Sequence, residues 1–155
     1  MGVEIERKFL VDHKKWDRVS KPGGTHYHQG YILSNAGQTI RVRVSDKQAF
    51  LNMKSKVSQV SRKEYEYEIP LTEGLEILDA FTKNGTEKVR YCIPFDGKTW
   101  EVDVFMGDNA GLIVAEIELK SEDEEFEKPD WITTEVTDDN RYANSNLATH
   151  PFKDW

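Results

Sequence analysis

Between Val3 and Val11 the chain alternates apolar and charged side chains, with Val3, Ile5, Phe9 and Val11 on one parity and Glu4, Glu6 and Lys8 on the other. A period of two marks a β-strand with one face against a core and the other in a polar setting. The same alternation recurs at about His26 to Leu33, Gln38 to Val44, Phe50 to Lys56, Arg62 to Ile69, Glu87 to Ile93, Lys98 to Phe105 and Ile113 to Leu119, which predicts eight strands. Ser34-Asn35-Ala36-Gly37, Ser45-Asp46-Lys47, Asp96-Gly97 and Asn109-Ala110-Gly111 are turn chemistry, so antiparallel hairpins join them.

Sorting the strands by parity gathers Glu4, Glu6, Lys8, Tyr27, Gln29, Tyr31, Arg41, Arg43, Asn52, Lys54, Arg62, Glu64, Glu66, Lys88, Arg90, Glu101, Asp103, Glu116 and Glu118 on one face. The opposite face carries Ile40, Val42, Val44, Leu51, Met53, Tyr65, Tyr67, Ile69, Val89, Trp100, Val102 and Ile117, an apolar layer that has to leave water. Two architectures fit. An open sheet or sandwich packs the apolar face inward and wets the charged one, which requires no function. A closed barrel turns the charges into a watery lumen and covers its apolar outside with helices or a partner subunit. The charged side is wet in both, because each unpaired charge buried dry costs on the order of several kcal/mol.

Helical signals are few. Asp12 caps a predicted segment holding Trp16 and Val19; Leu75, Leu78 and Phe81 share a face after Thr72, stopping at Asn84-Gly85; Ser121 and Glu124 form a capping-box pattern before Phe126, ended by Pro129. A short helix is expected between Asp138 and Leu147. The acidic run Glu122 to Glu127 reads as a solvated helix face. At 155 residues and a net charge of -7, the chain suits one domain and disfavours a nucleic-acid backbone or anionic membrane as main partner. Any anion has to be met by a local positive cluster. The single cysteine, Cys92, forms no internal disulfide and reads as inert packing, and no apolar run suits a signal peptide or membrane span, so a cytoplasmic location is expected. His26 and His28 have metal-like spacing but the wrong parity, which makes them surface residues. No nucleophilic triad emerges.

The opening Glu4-Ile5-Glu6-Arg7-Lys8 resembles the Glu-x-Glu-x-Lys hallmark of the CYTH, or triphosphate tunnel metalloenzyme, superfamily. Gln29-Gly30-Tyr31, Arg41-Val42-Arg43, Lys54-Ser55, Ser61-Arg62-Lys63-Glu64-Tyr65-Glu66, Lys88-Val89-Arg90-Tyr91, Glu101-Val102-Asp103-Val104-Phe105, Glu116-Ile117-Glu118 and Glu135-Val136-Thr137 follow in that family's order. The likeness is to its short single-domain bacterial inorganic tripolyphosphatases.

This resemblance implies a mainly β fold with short helices, in which residues 1–155 form a single CYTH-like domain: an eight-stranded antiparallel β-barrel enclosing a charged tunnel. It implies that Lys8, Arg41, Arg43, Lys54, Arg62 and Arg90 bind phosphates, where guanidinium forks and ammonium groups match phosphate oxygens. Glu4, Glu6, Glu116 and Glu118 are the expected ligands of Mg2+ or Mn2+, both of which want hard oxygen donors. Glu64, Glu66, Glu101 and Asp103 support a second ion or hold the basic residues. Tyr31 and Lys88 match a proposed water-activating pair, a lysine beside a phenol favouring the phenolate. Arg141 and Tyr142 resemble an Arg-Tyr in a C-terminal helix that plugs one tunnel mouth, with Asp139 and Asn144 as caps or contacts.

The implied activity is metal-dependent hydrolysis of tripolyphosphate to pyrophosphate and phosphate by a monomer or homodimer. The alternatives are a class IV adenylate cyclase making cyclic AMP from ATP, a thiamine triphosphatase, and a non-catalytic polyphosphate-binding barrel.

Overall fold

A computed structural model describes residues 2–155. Its strands are β1 (Gly2–Val11), β2 (Thr25–Ser34), β3 (Gln38–Val44), β4 (Ala49–Lys56), β5 (Ser61–Ile69), β6 (Gly85–Phe95), β7 (Lys98–Phe105), β8 (Ile113–Glu118) and β9 (Ile132–Glu135). They run β5-β4-β3-β2-β6-β7-β8-β1-β9, and an additional β5–β1 pairing closes the first eight into an antiparallel barrel. Closure depends on β1 dividing its length between two neighbours. Gly2 to Ile5 pair with Glu64 to Ser61 of β5, and Glu6 to Leu10 pair with Glu118 to Val114 of β8. The ninth strand, β9, lies on the C-terminal end of β1 and escapes the parity pattern because it is four residues long.

The barrel carries its core on the outside. Phe9, Trp100, Val102 and Ile117 point outward from β1, β7 and β8 and are covered by Trp16, Trp131 and Phe126. These rings meet edge to face, with Phe9 and Trp100 5.6 Å apart and Trp16 and Trp131 5.3 Å apart, the geometry aromatic quadrupoles favour. Trp16 sits on helix α1 (His13–Asp17), whose cap Asp12 accepts from the Lys15 amide at 3.0 Å, as its sequence predicts. Helix α2 (Leu71–Phe81) starts directly after Pro70, ahead of the expected Thr72, and ends at Thr82, which is extended. It packs Ile77 and Leu78 over Val42, Val44 and Ala49. Gly74 allows that approach, since a Cβ there would stand 2.3 Å from the Ala49 Cβ.

Three expectations fail. No helix forms at Ser121: the Glu124 carboxylate accepts from the Lys120 amide at 2.6 Å and pairs with Lys98 rather than capping the Ser121 amide. The acidic run is therefore an irregular segment that buries Phe126 against Phe9 and Trp100. The outer apolar layer is not wholly covered: Tyr65 and Tyr67 of β5 are 42% and 47% exposed, tolerable for phenols whose polar tips stay wet. Cys92 is exposed and does no packing.

One barrel end has an apolar floor. Leu10, Phe105 and Val114 occupy inward positions at the ends of their strands and meet Tyr142 and Leu147 from the C-terminal segment. That segment comprises a 3₁₀ turn (Asn140–Tyr142) and helix α3 (Asn144–Thr149), so the expected C-terminal helix is split; Asp139 caps the turn, accepting from the Arg141 amide at 3.1 Å.

A charged tunnel as the candidate active site

Closing the barrel turns the charged parity inward around a cavity of about 770 Å³. The charges are sorted by strand. Arg41 and Arg43 of β3, Lys54 of β4 and Arg90 of β6 supply cations, while Glu4 and Glu6 of β1, Glu64 and Glu66 of β5 and Glu116 and Glu118 of β8 supply carboxylates; Lys8, Arg62, Tyr31 and Glu101 also line the space.

Some cations are neutralised in place. Lys54 Nζ is 2.8 Å from Glu4 and 3.6 Å from Glu64, Arg43 is 3.5 Å from Glu66, and Arg90 binds Asp103 at 2.7 Å and Glu101 at 3.0 Å. Buried Asn52 ties Glu64 and Glu66 together, donating to them at 3.1 and 3.0 Å. Glu64, Glu66, Glu101 and Asp103 thus hold basic side chains. Others are not neutralised: among the described residues no carboxylate lies within 4.0 Å of Lys8, Arg41 or Arg62. The Nε groups of Arg41 and Arg43 are buried donors without an acceptor. A guanidinium withdrawn from water without a counter-ion is costly, and an anion in the cavity relieves that cost.

The carboxylates show the opposite need. Burial, then the neighbouring Glu6, pushes Glu116 up to about 6. Burial also raises Glu4, against the pull of Lys54, and raises Glu118, helped by Glu64 and Glu101. Carboxyls that resist ionising together become good ligands once a cation arrives. As they stand, no group of three His, Cys, Asp or Glu side chains among the described residues is close enough together to hold an ion. The all-oxygen donor set fits Mg2+ or Mn2+.

Tyr31 and Lys88 do not form the expected pair. The Tyr31 phenol lies beside Arg41, and burial raises its pKa despite that cation, so it stays a neutral phenol. The Lys88 ammonium sits at the floor, donating to Asp103 at 2.7 Å and Asn144 at 3.2 Å, and its register partner across β2–β6 is Tyr27. Burial lowers Lys88 to about 8, with Asp103 opposing. His26 and His28 are exposed, His26 beside Glu87 at 2.5 Å, as their parity implies. Asn144, Ser145 and Asn146 also line the cavity, a contribution parity cannot reveal because it comes from outside the strands.

The CYTH domain family model matches residues 2–149. An inorganic triphosphatase of Acetivibrio thermocellus is 47% identical over 156 residues, spanning 100% of this chain and 99% of that protein. An inorganic triphosphatase of Nitrosomonas europaea is 36% identical over 155 residues, spanning 94% and 97%. The crystal structure of the inorganic triphosphatase NE1496 superposes with a TM-score of 0.63 at 35% identity over 94% of this chain and 93% of its own. The PH1012 protein of Pyrococcus horikoshii shares the fold at 18% identity, with a TM-score of 0.60 over 77% of this chain and 80% of its own.

Proposed function

The chain belongs to the CYTH domain family, and from that premise we propose that it hydrolyses inorganic tripolyphosphate to pyrophosphate and phosphate with a divalent metal ion. The observation that carries the reading is Arg41, a half-buried arginine whose buried Nε has no acceptor and which has no carboxylate within 4.0 Å among the described residues, in a cavity it shares with Arg43 and Lys54.

Arg41 and Arg43 grip the phosphate chain, and Lys8, Lys54, Arg62 and Arg90 surround it with further positive charge. Glu4, Glu6, Glu116 and Glu118 would hold Mg2+ or Mn2+, which when bound neutralises phosphate charge and orients water. Water oxygen bonds to the terminal phosphorus as the bond to the bridging oxygen breaks, its proton passes to a phosphate oxygen or to solvent water in the tunnel, and pyrophosphate departs in line. Arg41 and Arg43 stabilise the charge that builds on the departing oxygens, and neutral Tyr31 orients Arg41 and donates to a phosphate oxygen. Lys88 adds positive potential from the floor.

Tyr27 and Tyr31 are the aromatic residues lining the cavity, and both are engaged, Tyr27 under the Arg43 guanidinium at 4.7 Å and Tyr31 by Arg41. That supports an inorganic substrate over one carrying a base. Among the described residues no helix is long and apolar enough to cross a membrane.

The test is to incubate purified protein with tripolyphosphate, ATP or thiamine triphosphate in Mg2+, Mn2+ or EDTA and to measure phosphate, pyrophosphate and cyclic AMP. Fast, EDTA-sensitive release of phosphate and pyrophosphate from tripolyphosphate is expected. Cyclic AMP as the main product indicates a cyclase instead, preference for thiamine triphosphate a thiamine triphosphatase, and binding without turnover a polyphosphate-binding barrel.

A further inference from the structure

Asn144, the first residue of α3, stands between the tunnel and the buried Lys88. It lines the cavity, while Lys88, 1% exposed, does not. Its Oδ1 accepts from Lys88 Nζ at 3.2 Å and from Gln29 Nε2 at 3.0 Å, and Gln29, 0% exposed, also donates to Thr86 Oγ1 at 3.0 Å. These bonds fix the amide's direction. An ammonium has donors and no acceptor, so the asparagine oxygen faces Lys88. The Nδ2 group is the part left for the tunnel, and among the described residues it donates to nothing in the protein.

We infer that Asn144 contacts the substrate, its Nδ2 donating to an oxygen of the phosphate group at the closed end of the tunnel while its Oδ1 is braced by Lys88 and Gln29. The inference rests on the triphosphate reading. It gives the C-terminal segment a part in binding as well as in closing the barrel: the apolar side of the segment forms the floor with Tyr142 and Leu147, and Asn144 presents a neutral donor to the anion. A neutral donor suits this place. Another cation would stand against Lys88, and a carboxylate would repel the phosphate.

Asn144→Ala and Asn144→Asp together separate substrate contact from scaffolding, because alanine removes Nδ2 without adding charge, whereas aspartate keeps an oxygen for Lys88 and Gln29. If Asn144 only braces Lys88, Asn144→Ala lowers the unfolding temperature and leaves KM and Kd for tripolyphosphate at wild-type values, and any rise in Asn144→Asp is repulsion by its carboxylate. If Nδ2 touches the substrate, KM for tripolyphosphate and Kd measured calorimetrically in EDTA rise about tenfold in Asn144→Ala and about 100-fold in Asn144→Asp. Wild-type KM and Kd for Asn144→Ala overturn the inference. A wild-type protein that itself neither binds nor cleaves tripolyphosphate overturns the underlying reading instead, so the two failures are distinct.

Discussion

Lys88 Nζ lies 2.7 Å from Asp103 Oδ2, and both side chains are 1% exposed, an ion pair sealed at the closed end of a wet tunnel. Arg90 binds the same carboxylate through Nε at 2.7 Å and Nη2 at 2.9 Å, so two cations share one aspartate. Asp103→Asn leaves both without their shared counter-charge. We expect it to lower unfolding free energy in urea by about 3–5 kcal/mol, the range for removing one partner of a buried pair. Glu101→Gln, whose carboxylate is 38% exposed where it meets Arg90, is expected to cost less than about 1 kcal/mol. Equal losses would mean that burial does not set the strength of this network.

Glu116 gives a dependence on pH with a definite sign. Its pKa rises from 4.5 to about 6 in the folded protein, so the fold binds its proton more readily than the unfolded chain does. The stability this contributes is present below 4.5 and is lost as pH rises through 6. In EDTA, Glu116→Gln is therefore expected to gain about 1.5 kcal/mol on the wild type between pH 4.5 and 6.5. Urea unfolding of both proteins across that range checks it; a constant difference would show that Glu116 ionises normally.

Arg41 is half-buried with no carboxylate within 4.0 Å among the described residues, whereas Arg43 is paired with Glu66 at 3.5 Å. Its replacement therefore breaks no close ion pair. Arg41→Met is expected to leave the substrate-free melting temperature close to that of the wild type while raising KM for tripolyphosphate at least about tenfold. A fall in melting temperature with KM unchanged would make Arg41 a structural residue.

Tyr31 is raised above the ordinary phenol range by burial, with Arg41 opposing, so it does not ionise near neutrality. Tyr31→Phe is expected to lower kcat/KM by less than about tenfold, the cost of one hydrogen bond, and to leave the shape of the pH–rate profile unchanged. Loss of a limb from the profile would identify the phenol as the base.

Parity made the lining legible because a strand's inward face is set by odd or even position alone: Glu4, Arg41, Lys54 and Glu116, far apart in sequence, share one cavity. Parity carries no information about depth along the barrel axis. Lys88 and Arg90 look equivalent in sequence, yet Lys88 lies at the sealed floor and Arg90 lines the cavity. The Tyr31 and Lys88 pairing failed for that reason, since β2 and β6 set Tyr27, not Tyr31, opposite Lys88. Asn144 was invisible as part of the tunnel because its place depends on where the C-terminal segment folds back, which Tyr142 and Leu147 decide by filling the barrel end. The Ser121 pattern misled because Lys98, distant in sequence, competes for Glu124.

The most direct test of the account is a crystal structure with tripolyphosphate and Mn2+, the ion located by its anomalous scattering. The account predicts phosphates against Arg41 and Arg43 inside the barrel and a manganese peak bounded by Glu4, Glu6, Glu116 and Glu118. Phosphates or manganese bound only on the outer surface, with the interior filled by water, would contradict it.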